Sequence, residues 1–76
     1  MTEDVVNHPT HYTQYPTEVI EIIQWVASQC KDGFEGYMIG NILKYLFRFP
    51  FKNGTEDLKK ARWYLDKLVE YREGRE

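Results

Sequence analysis

The sequence has little of what usually staples a small protein together. It contains one cysteine, Cys30, in 76 residues, so no disulfide can form within the chain, and a reducing compartment is expected. A structural zinc site wants four ligands, which one cysteine and two histidines do not readily supply, so no metal is expected. No apolar run approaches the roughly 18 residues of a membrane-spanning helix. Met1-Thr2-Glu3-Asp4 lacks the apolar core of a signal peptide. A cytoplasmic protein with no membrane association is therefore expected. There is no Gly-rich phosphate loop, no nucleophile triad and no Cys/His cluster. Repeats and low-complexity stretches are also absent, and the length allows one domain, 1–76.

Aromatic residues, by contrast, are abundant, at 16% of the chain. A domain this small buries only about 60% of its unfolded surface. Twelve large rings exceed what so small a core can hold, so some belong at a subunit interface or a ligand site, and a homo-oligomer is expected. The net charge of −2 argues against general nucleic-acid binding. Its distribution is uneven. Between Lys44 and Lys67 there are seven basic and three acidic side chains, a local balance of +4 that leaves −6 elsewhere. A basic half on an acidic chain suits a small anion better than a long polyanion. The alternative is that Lys59-Lys60-Arg62 is a solvated helix face.

The spacing predicts an all-α domain: an irregular arm over 1–15, a helical core over 16–73 and a short tail, 74–76. Pro16 suits the first turn of a helix. Val19, Ile20, Ile23, Val26, Ala27 and Cys30 then give one buried stripe. Ile22 and Trp25 add a second, more than one neighbour needs. Asp32-Gly33 is read as the end of that helix. A second helix is expected over about 34–49, with Phe34, Met38, Ile42, Tyr45, Leu46 and Phe49 inward and Pro50 stopping it. Thr55 is read as the N-cap of a third, running to about residue 73, with Leu58, Ala61, Leu65, Leu68 and Val69 inward.

Tyr37, Asn41, Lys44 and Arg48 fall on one face of the second helix, where two cations, an amide and a phenol can clamp phosphate oxygens. Gly36 and Gly40 beside them each cost roughly 1 kcal/mol against alanine. Either another helix or a ligand approaches closely there. Asn7-His8-Pro9-Thr10-His11-Tyr12 offers imidazoles, an amide and a phenol on a proline-stiffened loop, to a ligand or to the fold itself. Glu18/Glu21 and Glu70/Glu73 have the spacing of helical Mg²⁺-binding carboxylate pairs. The second pair, however, sits where the chain end frays.

Val6-Asn7-His8-Pro9 with His11-Tyr12, then Phe34-Glu35-Gly36-Tyr37 leading to Gly40-Asn41, Lys44-Tyr45 and Arg48, then Glu56-Asp57-Leu58-Lys59-Lys60-Ala61 with Trp63-Tyr64-Leu65, resemble the small phage-encoded SaV-like family. That family includes a nucleotide kinase of short-tailed coliphages. The resemblance runs in order from Val6 to Leu68. It implies a phage or prophage origin, an oligomer and nucleotide handling. The kinase member phosphorylates deoxynucleoside monophosphates without a divalent metal. Carried over, the polar motif residues are Asn7, His8, His11, Tyr12, Asn41, Lys44, Arg48, Asp57 and Lys60. The basic residues would hold phosphates and the first-loop residues would close over base or sugar. With Tyr37 and Lys52 these make the expected ligand-binding set.

Phosphoryl transfer needs two nucleotide subsites and exclusion of water, which three short helices hardly enclose. The leading expectation is thus a nucleotide-binding protein that holds a phosphate-bearing, even cyclic, ligand near a subunit interface. Such a protein would sequester a signal of host antiviral defence. A metal-independent deoxynucleoside monophosphate kinase is one alternative, and an inhibitor acting by direct contact with a host protein is another.

Overall fold

The structure, a computed structural model, describes Tyr15 and residues 17–76. Three helices and no strand occur among these residues: α1 (Val19–Ala27), α2 (Gly33–Arg48) and α3 (Thr55–Glu73). None is long and apolar enough to cross a membrane.

Helix boundaries depart from the sequence reading in three places, each for a capping reason. Pro16 lies outside the described residues, and α1 begins at Val19 after Glu18, with Thr17 Oγ1 donating to Glu21 Oε1 at 3.0 Å. The helix stops at Ala27 rather than at Asp32-Gly33, with the N–H of Ser28 closing on Gln24 O. Asp32 instead opens α2: its backbone is extended and its carboxylate accepts the Glu35 N–H at 2.8 Å. That bond satisfies one of the four N–H groups a helix start leaves unpaired. At α3 the cap is Gly54, not Thr55. Gly54 has φ +54°, a left-handed conformation that glycine adopts without steric cost. The Asp57 side chain reaches back from the first turn to the Asn53 N–H at 3.1 Å and Asn53 Nδ2 at 3.3 Å, doing the work expected of a threonine. Pro50, following the C-cap Phe49, ends α2.

α2 is the central element. It packs on both α1 and α3, and these two scarcely meet each other. Gly36 and Gly40 face α1, so the close approach at these glycines is helix packing and not ligand. A Cβ at Gly40 would stand 3.4 Å from Ile23 Cγ2, and one at Gly36 would stand 3.7 Å from Ala27 Cβ.

The core is small. Among the described residues its buried apolar side chains are Val19, Met38, Ile42 and Ala61. Ile20, Val26, Phe34, Leu46, Leu58, Leu65 and Val69, all read as inward-facing, are more than a third exposed. An apolar stripe needs a neighbour along its whole width, and among the described residues only the central helix packs closely on two others, which leaves the flanks of α1 and α3 open there.

Candidate functional site

The C-terminal half of α2 and the N-terminal half of α3 run side by side, and their facing side chains build a cluster of rings and cations. Its centre is Tyr45. Lys44 Nζ lies 4.7 Å from the centroid of that ring, Lys60 Nζ 5.5 Å and Arg48 Cζ 5.8 Å. Tyr64 stacks on Tyr45 with centroids 5.9 Å apart and planes at 18°. Tyr37 meets Tyr64 edge-on at 6.5 Å, as does Trp63 at 5.1 Å, and Lys67 Nζ covers Trp63 at 5.5 Å. Burial pushes the Tyr64 phenol up from its ordinary value of 10.0, and the neighbouring Tyr37 and Tyr45 add to the rise. Tyr64 therefore stays protonated at neutral pH and serves as a stacking surface.

Three cations around one ring repel one another, so something must hold them. Asp57, fully buried, answers Arg48: its Oδ2 lies 3.6 Å from Arg48 Nε while the same carboxylate takes the two Asn53 donors. The separation exceeds hydrogen-bond length, and Arg48 Nε makes no hydrogen bond. Lys44 and Lys60 form no ion pair among the described residues. With one buried acid against three cations, the cluster carries excess positive charge, which an anion would relieve.

The expected set thus separates. Lys44, Arg48 and Lys60 converge. Tyr37 is exposed at the margin. The Asn41 amide turns back to the Tyr37 carbonyl at 2.9 Å. Asp57 lies beneath, positioning Arg48 and the Asn53 turn rather than facing solvent. Lys52 is exposed in the turn before α3 and makes no ion pair among the described residues. Asn7, His8, His11 and Tyr12 lie outside the described residues.

Of the rings in the cluster, sequence reasoning placed only Tyr37 at the ligand face. Tyr45 was assigned to the core, and Tyr64 to the resemblance alone. Lys60, Tyr64 and Lys67, at i, i+4 and i+7, share one face of α3 and mirror the row on α2, a signal that was available.

Residues 6–66 match the model of a family described as a protein of unknown function, DUF3310. The chain belongs to that family. The Gene 1.7 protein of Enterobacteria phage T3 is 39% identical over 72 residues, covering 88% of this chain. The chain spans 43% of that relative's length. No solved structure matches. The match places the chain in a family of small phage proteins, and every residue of the Tyr45 cluster except Lys67 falls inside the matched DUF3310 range.

Proposed function

We propose that this phage-family protein binds a phosphate-bearing nucleotide on the α2–α3 face. The phosphates would lie among Lys44, Arg48 and Lys60, with the base against the exposed ring of Tyr37. The observation that carries this reading is the convergence of three cations on the Tyr45 ring with one buried carboxylate against them. Arg supplies a planar fork for phosphate oxygens, Lys a point charge, and a tyrosine ring a stacking platform for any base.

Holding the ligand, rather than turning it over, is favoured by Asp57. Among the described residues it is the carboxylate ion-paired within the cluster, and it is occupied by Arg48 and Asn53, so it is no free general base. A phage protein that sequesters a signalling nucleotide would blunt host antiviral defence, and Asn7, His8, His11 and Tyr12 would close over the sugar or base.

The test is native mass spectrometry of the protein with mono-, tri- and cyclic nucleotides, and with ATP plus each deoxynucleoside monophosphate. Retention of an unmodified nucleotide, lost in a Lys44→Ala/Lys60→Ala variant, is the expected result. Conversion to diphosphates would replace sequestration by kinase activity at the same residues. Nucleotides that bind no better than sulfate would sink the reading and direct attention to a host protein.

A further inference from the structure

Beside the face it turns toward α2, α3 carries a second apolar stripe. Leu58, Arg62, Leu65, Val69 and Arg72 recur at alternating steps of four and three, the spacing of a coiled-coil seam. Leu58, Leu65 and Val69 are more than a third exposed, so the apolar part of this seam is open among the described residues. Leu65, Leu68, Val69 and Arg72, at i, i+3, i+4 and i+7, wall a hollow of about 370 Å³. Four residues so spaced form the hole into which one side chain of a facing helix inserts.

We propose that a second copy of this chain packs antiparallel on this face of α3, with Leu65 of each copy entering the hole of the other. The order of charges sets the direction. Along one flank of the seam Lys59 and Arg62 come first, followed by Asp66, Glu70 and Glu73. Lys59, Arg62, Asp66 and Glu73 make no ion pair among the described residues. Antiparallel pairing brings the basic end of one copy against the acidic end of the other, and the register that sets Leu65 beside Val69 sets Arg62 beside Glu73. Parallel pairing would set this flank beside the opposite flank of the second copy, where its basic and acidic ends could not answer each other. Arg72, which falls level with the second copy's Arg62, is already met by Glu35 at 3.8 Å and Glu76 at 3.5 Å.

A two-fold interface must be self-complementary, and this stripe is so in its apolar residues and in the pairing of Arg62 with Glu73. Among the described residues only four apolar side chains are buried, and a chain this short gains little from its own burial, which favours a second copy. Lys60, Tyr64 and Lys67 lie on the side of α3 away from the seam. The pairing therefore leaves the Tyr45 cluster open and does not depend on what that cluster binds.

Sedimentation velocity on the full chain over a concentration series tests this. A reversible dimer is expected. Arg62→Glu should weaken it by about tenfold or more, with far-ultraviolet circular dichroism unchanged, and adding Glu73→Arg should restore it. Leu65→Glu should give monomers. A wild-type chain that remains monomeric throughout, or a dimer indifferent to Leu65→Glu, overturns the seam. Failure of Glu73→Arg to rescue Arg62→Glu overturns the antiparallel register.

Discussion

The two ends of the α2–α3 pair handle charge in opposite ways. At the end formed by the start of α2 and the last turns of α3, Asp32, Arg72 and Arg75 each have a partner. Asp32 takes the Glu35 N–H and the Tyr71 hydroxyl, the latter at 2.7 Å, and Arg72 lies between Glu35 and Glu76. Arg75 covers the Tyr71 ring at 5.0 Å, and Phe34 packs on the same ring at 4.5 Å. At the other end Lys44, Arg48 and Lys60 crowd one ring, and the one buried acid beside them pairs with Arg48 alone. The first arrangement closes on itself and holds helices together. The second is left with positive charge that no further ion pair among the described residues answers. This contrast separates the two ends more sharply than a count of basic residues does.

The largest expected effect comes from removing the acid that anchors the incomplete end. Asp57→Ala leaves Arg48 without its ion pair and the Asn53 N–H without its acceptor. The loss should be about 3–5 kcal/mol, as for a broken buried ion pair, read by chemical denaturation. A loss near zero would mean that Asp57 does not organise the cluster. The next effect separates the ends by function. Lys44→Ala and Lys60→Ala should each weaken nucleotide binding by about 1.5–3 kcal/mol, the scale of a hydrogen bond to a charged group. Their melting temperatures should change little, since an exposed cation–ring contact is worth about 0.5–1 kcal/mol. Arg72→Ala, at the closed end, should leave titration calorimetry with nucleotide unaltered. Equal losses from Lys60→Ala and Arg72→Ala would erase the distinction between the two ends.

Much of the fold was legible because periodicity and proline are strong signals. The three helices follow from the spacing of Val19 and Ile23, of Met38 and Ile42, and of Ala61 and Leu68. Pro50 also marks a real end. Asp32 was misread because Asp-Gly commonly stops helices. The competing signal, an Asp three residues before Glu35, is that of a helix start. Leu58, Leu65 and Val69 were placed inward because a stripe reveals its own width and not whether a neighbour exists. In the candidate site, Lys44 and Arg48 were legible from helical spacing on α2. Tyr45 was hidden by the habit of assigning rings to cores. The depth of Asp57 was invisible because burial depends on the turn that Gly54 and Asn53 make, which spacing does not encode.

The smallest expected effect tests the closed end by pH. The Glu35 N–H, then the Tyr71 hydroxyl, hold Asp32 below its ordinary value of 3.8, while the bond to Asp32, with burial, raises Tyr71 above 10.0. A carboxyl whose folded pKa is depressed stabilises the fold above its unfolded value. That contribution should fade as pH falls from about 3.8 through the lowered folded value. A phenol whose folded pKa is raised favours the fold below its unfolded value. Here the contribution should fade as pH rises from about 10.0 through the raised folded value. One hydrogen bond therefore contributes to losses in both directions. Tyr71→Phe should make the fall in melting temperature shallower on the acid side, where the Glu35 N–H still acts on Asp32. It should also remove Tyr71's part of the alkaline loss, leaving that of Tyr64, whose pKa is raised as well. Identical pH profiles for Tyr71→Phe and the parent chain would mean that Asp32 and Tyr71 do not meet in solution, and the end described as closed would have lost the contact that closes it.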